Sequence, residues 1–238
     1  MKWSWDYAWT ILPELLAVLP VTIAAALCGF ALAVVLGLPL ALGKRSGHKA
    51  LSRTVSLALE LIRSTPLLIQ LLLLFYALPL YGVRLSPFAA GVLGLGIHYA
   101  AYMAEVYRSG IEAVPAGQWE AAKALNFTPR QTWMRLIIPQ AVPPVLPVMG
   151  NYLIVLFKET PILSAITLVE ILQKAKSLGS VSFRYIEAFT LVGVLFFLLS
   201  YGSSLLLKQL ENGLRRKRQT GRYTKKGGMA RERSGLDG

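Results

Sequence analysis

Five stretches of this sequence stay apolar for close to the length needed to cross a bilayer, at about 15–43, 57–80, 87–107, 141–164 and 188–207. A helix needs roughly 20 apolar residues to do so. In lipid the backbone must satisfy its own hydrogen bonds, so runs of this kind commit the chain to an all-α, polytopic membrane fold. The composition agrees: 55% of residues are hydrophobic and 16% charged, too apolar for an ordinary soluble domain. About five transmembrane helices are expected. In the first run Ala25, Gly29, Ala33 and Gly37 recur every four residues, a small-residue stripe that lets a second helix approach closely. Cys28 lies in the same run and reads as a packing residue; as a single cysteine it excludes an internal disulfide. No cleavable signal peptide is expected, because the first run is too long for one.

Orientation follows from lysine and arginine. Lys44, Arg45, Lys49 and Arg53 follow the first run; Arg108, Lys123, Arg130 and Arg135 lie in the 105–140 segment; ten more follow the fifth run, among them Arg215, Arg216, Lys217 and Arg218. The opposite side holds only Lys2, Arg84, Lys174, Lys176 and Arg184. The majority side is cytoplasmic, which puts the N-terminus outside and the C-terminus inside. The net charge of +13 therefore reports topology, and no recognition fold points to nucleic acid. Residues 1–211 form the expected membrane domain, with a cytoplasmic loop at 112–140. Residues 212–238 form a basic, Gly-rich tail expected to be disordered, in reach of anionic lipid.

That loop contains WEAAKALNFTPRQTWMRLIIP at 119–139, which reads as a helical hairpin. Pro115 opens the first helix and Gln118–Leu125 favours it. Asn126 stands at its end, where a left-handed residue is required. Thr128 caps a second helix with Pro129 in its first turn, and Pro139 is expected to end it. Ala121, Ala122 and Leu125 share the apolar side of the first helix, with Glu120 at its rim. Two uses are open to such a helix: docking into the groove of a partner, or resting on the lipid headgroups.

These residues resemble a known family. EAAKALNFTPRQTWMRLIIPQA is similar to the EAA loop of permease subunits of bacterial importers driven by ATP-binding-cassette (ABC) ATPases. The family pattern is Glu-Ala-Ala, three residues, Gly, then nine or so residues and an Ile-x-Leu-Pro-like ending. Glu120, Ala121 and Ala122 match, Ile138-Pro139 matches approximately, and Asn126 replaces the glycine. RSTPLLIQ at 63–70, AAYMAEVYRSGIEAVPAGQWEAAKAL at 100–125 and NYLIVLFKETPILSAI at 151–166 resemble the polar amino-acid branch, whose motif has Gly where Ser64 stands. The resemblance covers roughly residues 10–210. It implies a type I ABC importer transmembrane domain in the bacterial inner membrane, in which Gly117, Glu120, Ala121, Ala122, Leu125 and Asn126 form the coupling helix. The implied partners are an ABC ATPase dimer that binds the ATP, a second permease subunit, of the same or a homologous chain, and an extracytoplasmic solute-binding protein. The permease itself is expected to need no cofactor and to perform no covalent chemistry. LFKETPILSAITLVEILQKAK and FRYIEAFTLVGVLFFLLSYGSSLL are similar to permeases for ectoine and hydroxyectoine.

The residues fit a transport subunit. GLPLALGKR at 37–45 departs from a phosphate-binding loop, with five residues between its glycines and Arg45 where Ser or Thr is required. His48 and His98 lack ligand-like spacing, and His98 reads as a packed or cavity-lining group. No acid pair or nucleophile–base set supports an enzyme. The alternative is a standalone ion-coupled carrier or channel, against which the absence of an inverted repeat counts. Charges at membrane depth are costly and so point to function. Arg63 or Lys158 suits a solute carboxylate, Glu159 an ammonium, and Gln70 a polar contact. Arg63 with Glu60, or Lys158 with Glu159, also suits internal pairing.

Overall fold

A computed structural model describes residues 3–234, with side chains through 209 and at 212. Among the described residues the fold is helical throughout, with no strand. The helices are α1 (Trp5–Lys44), α2 (Lys49–Ser64), α3 (Leu67–Leu72), α4 (Pro87–Glu112), α5 (Ala116–Ala124), α6 (Pro129–Gln131), α7 (Ile138–Glu159), α8 (Ile171–Ser182) and α9 (Tyr185–Ser234). The chain divides into two units, Met1–Ser200 and Tyr201–Gly238. The backbone of α9 is helical through Ser234, where the sequence reading expects a disordered tail from 212. Lys, Arg and Gln are good helix formers; the side chains from 213 onward lie outside the described residues.

Among the described residues, three helical stretches are long and apolar enough to cross a membrane: Trp5–Lys44, Pro129–Ile166 and Tyr185–Gln209. Lys49–Ser64 with Leu67–Tyr81 adds a fourth, bent by 100°. The remaining expected span, the run at about 87–107, is α4; it has 26 residues and so is about 39 Å long, but its glycines, tyrosines and His98 dilute its apolarity. Those residues belong to the centre of the bundle, since α4 buries residues on every side from Ala90 to Ile111.

Small residues decide how α4 meets α1. Ala25, Gly29, Ala33 and Gly37 are all buried. A Cβ added at Gly37 would lie 2.5 Å from Met103 Cβ, and one at Gly29 2.9 Å from Leu95 Cβ. The stripe thus brings the two backbones together, as its spacing predicts. Cys28 lies off it and is exposed, because the inward side of α1 is taken by Ala25, Ala26 and Gly29. α1 also starts ten residues before the apolar run, capped by Ser4 at the Tyr7 amide. Its first turns carry exposed Trp5 and Trp9, aromatic groups suited to the membrane interface.

Two π-helical turns, Leu73–Ala77 and Thr132–Ile137, each precede a proline. The amide before Pro79, that of Leu78, bonds to the Leu73 carbonyl, and the amide before Pro139, that of Ile138, bonds to the Trp133 carbonyl. Stepping back one extra residue relieves the clash a proline ring makes with the preceding turn. For this reason Pro139 does not end the second hairpin helix, as the sequence reading expects. The helical path runs on into α7 and through a 3-10 segment, Thr160–Ile166.

Candidate functional site: a charged cavity and a cytoplasmic hairpin

The cavity begins at the bend between α2 and α3. Pro66 pushes Thr65 into extended backbone (φ −99°, ψ 129°), which ends α2 and leaves carbonyls without helical partners. Gln70 meets that need: its Nε2 donates to the Ile62 carbonyl at 2.8 Å and to the Thr65 carbonyl at 3.1 Å. Its Oε1 accepts from His98 Nδ1 at 3.3 Å. Gln70 therefore braces the bend, and it is absent from the cavity lining.

The cavity that opens there measures about 580 Å³, a size suited to a small solute. The bend contributes Arg63, Ser64 and Thr65; α4 contributes His98, Tyr99 and Tyr102; α7 contributes Tyr152 and Glu159. The three tyrosine rings stand 5.7 to 6.0 Å apart between centroids and form a polar aromatic wall. Of the residues singled out in the sequence, Arg63 and Glu159 share this cavity and Lys158 does not: it is exposed in the last turn of α7, where a cation complements the helix dipole. The tyrosines are absent from the sequence-derived set. Their signal is present, since polar aromatics at 99 and 102 follow His98 in a helix rich in glycine and alanine.

Arg63 also faces acids at the cytoplasmic end of the bundle. Its guanidinium lies 3.6 Å from Glu105 and 3.7 Å from Glu60. Glu105 is held by Lys44 and by Arg108 Nε at 2.7 Å. Arg108 reaches Glu112, which faces Arg45 at 4.0 Å. Lys44 and Arg45 at the end of α1, and Arg63 at the end of α2, thus meet the acids of α4 on one side of the membrane domain.

The hairpin grows from that end. Pro115 precedes α5, and Ile111, Val114, Ile137 and Ala141 pack at its base with Trp119, Trp133 and Leu136 against them. Gln140 Nε2 donates to Gln118 Oε1 at 3.2 Å. At the far end of α5 Asn126 adopts φ 50°, and the Phe127 amide bonds to the Ala122 carbonyl at 2.9 Å while that of Asn126 bonds to Lys123 at 3.0 Å. This is a Schellman cap with Asn in the position usually given to Gly. Thr128 and Gln131 then close a reciprocal capping box. Gly117, Glu120, Ala121, Leu125 and Asn126 are exposed, whereas Ala122 is buried. The expected common face of Ala121, Ala122 and Leu125 is therefore split: a step of one residue turns a helix by about 100°, and Ala122 packs inward while its neighbours face solvent.

Residues 33–216 match the family model described as "Binding-protein-dependent transport system inner membrane component". The chain is 41% identical over 218 residues to a probable amino-acid ABC transporter permease protein, y4tG, of Sinorhizobium fredii, covering 89% of this chain and 94% of that one. It is 34% identical to the L-cystine transport system permease protein TcyB of Bacillus subtilis, covering 80% and 83%. A solved structure, "Crystal structure of an amino acid ABC transporter with histidines", superposes with a TM-score of 0.84 at 35% identity over 89% of this chain and 99% of that one. The chain belongs to the family of inner membrane components of binding-protein-dependent transport systems. It is a multi-pass permease subunit of an ABC importer and not itself an enzyme, and it works with an ATPase chain and a solute-binding protein.

Proposed function

We propose that the cavity between the α2–α3 bend, α4 and α7 carries a polar amino acid or a related zwitterion. The observation that carries this reading is the presence of Arg63 and Glu159, of opposite charge, on the wall of one solute-sized cavity. A zwitterion needs a cation for its carboxylate and an acceptor for its ammonium. An arginine fork suits the carboxylate, Glu159 takes the ammonium, and the tyrosine hydroxyls meet the remaining polar edges. Related chains named for amino-acid, L-cystine and nopaline transport support the same substrate class. A solute-binding protein delivers the solute to the outer face. A second permease, a copy of this chain or a homologue, completes the path. The side of α5 bearing Gly117, Glu120, Ala121, Leu125 and Asn126 seats in a groove of the ATPase; Ala122 secures the helix from within.

The test is ATP-driven uptake by the reconstituted importer with labelled L-histidine, L-arginine, L-glutamine, L-cystine and ectoine. Each solute is first assayed for binding to the cognate solute-binding protein. Arg63→Gln and Glu159→Gln are expected to raise the apparent KM for the transported solute, and Lys158→Ala to leave it unchanged. Equal kinetics in all three variants would remove the cavity from the solute path.

A further inference from the structure

Glu105 stands between the cavity and the foot of the coupling helix, and its oxygens are divided between the two. Oε1 takes Lys44 and faces Arg63 at 3.6 Å; Oε2 accepts from Arg108, which also reaches Glu112. Glu112 is the last residue of α4, and Pro115 precedes α5. Arg63 is held more loosely. Its acids lie at 3.6 and 3.7 Å, beyond hydrogen-bond length, and among the described residues its guanidinium makes no hydrogen bond. Its donors are therefore open to the cavity it lines. The cluster joins Lys44, Arg45, Arg63 and Arg108 to Glu60, Glu105 and Glu112. Cations outnumber carboxylates by one, so the charge balance has room for a ligand's carboxylate.

We propose that Arg63 exchanges Glu105 for the carboxylate of the transported solute, and that Glu105 passes this exchange to the coupling helix through Arg108 and Glu112. The proposal rests on the cavity being the solute site. In the empty permease Glu105 shares its charge among three cations. When the solute takes Arg63, Glu105 relies on Lys44 and Arg108 alone and draws Arg108 away from Glu112. The end of α4, and with it the base of α5, then loses one of its ties. Glu105 is a positioning residue: it does not line the cavity, yet it sets where Arg63 rests and what its departure changes.

The experiment uses the permease reconstituted with its ATPase, its partner permease and its binding protein. ATP hydrolysis is compared with and without a mixture of L-histidine, L-arginine, L-glutamine and L-cystine. The unaltered importer is expected to hydrolyse faster with the mixture. Glu105→Gln is expected to bring the ratio of the two rates close to one, and Glu105→Asp to restore part of it. Glu112→Gln, remote from the cavity, is expected to lower the ratio without moving the apparent KM; should Glu105→Gln fail to assemble, this variant decides. An unchanged ratio in Glu112→Gln, or in an assembled Glu105→Gln, overturns the relay. Arg63→Gln separates the two levels. A KM raised about tenfold, as expected for the loss of a charge-assisted bond, together with unchanged ratios removes the relay alone; an unchanged KM removes the cavity itself.

Discussion

Trp119 and Trp133 meet edge to face with ring centroids 5.6 Å apart, and this contact fixes α5 to the membrane domain. Trp119 comes from α5 and Trp133 from the π-helical turn that leads into α7. The turn thus accommodates Pro139 and supplies the residue on which α5 rests. Edge-to-face pairs contribute about 0.5–1.5 kcal/mol beyond the area they bury. Trp133→Ala is expected to loosen α5 and to weaken co-purification of the ATPase severalfold while the membrane domain still inserts. Trp133→Phe is expected to retain most of the binding. Equal ATPase recovery from Trp133→Ala and the unaltered permease would show that α5 is positioned by other contacts.

Asn126 makes a second prediction, because its left-handed backbone closes α5. Gly adopts that conformation without steric cost, whereas a β-branched residue there is strained by roughly 1–2 kcal/mol. Asn126→Gly is expected to keep or slightly improve ATP-driven uptake, and Asn126→Val to reduce it. The comparison reads the cap directly, since the side chain of Asn126 is exposed and takes little part in packing. Full activity in Asn126→Val would mean that the hairpin does not depend on the left-handed turn.

Membrane packing is tested by a pair of alanine substitutions. At Gly37 an added Cβ meets Met103 Cβ at 2.5 Å and the Ala104 amide nitrogen at 3.2 Å; at Gly47 it meets nothing within 4 Å. Overpacking costs about 1–3 kcal/mol. Gly37→Ala is expected to lower the melting temperature of the purified permease, and Gly47→Ala to leave it near that of the parent. Equal melting temperatures would show that α1 and α4 separate freely at this point.

Glu170 supplies a pH dependence. It lies in the turn before α8, is fully buried, and accepts the Leu172 amide at 2.9 Å and the Gln173 amide at 2.7 Å. Burial pushes its carboxyl from the ordinary 4.5 up to about 7, with the two amide donors opposing the rise. Between these values the folded protein holds a proton that the unfolded chain has released, so stability falls as pH rises through this window. Glu170→Gln cannot ionise and is expected to flatten that decline in melting temperature. The same slope in both proteins would show that Glu170 remains charged in the folded state.

Sequence and structure agree where one local rule decides the outcome. Apolar runs expose the spans, and the Asn126 and Thr128 caps expose the hairpin, since each depends on a few adjacent residues. The regular spacing of Gly29 and Gly37 likewise reveals that a second helix approaches α1 closely, and the structure identifies it as α4. Disagreement falls where a neighbour in space decides. Gln70 looks like a solute contact until the freed carbonyls of Ile62 and Thr65 claim its amide. Lys158 and Glu159 are adjacent, and only the rotation of α7 sends one to the cavity and the other outward. Ala121 and Ala122 divide in the same way. The run at 87–107 is the least apolar of the spans, because close packing at the bundle centre favours glycine, and the cavity wall favours tyrosine and histidine.

The most direct measurement is solute accumulation in proteoliposomes that contain this permease and its ATPase, with ATP inside the cytoplasmic compartment and the binding protein on the opposite face. The importer assignment predicts accumulation that needs ATP, ATPase and binding protein together, and that is lost when any one is omitted. Accumulation by the permease alone under a proton or sodium gradient, with none of the three present, would contradict it.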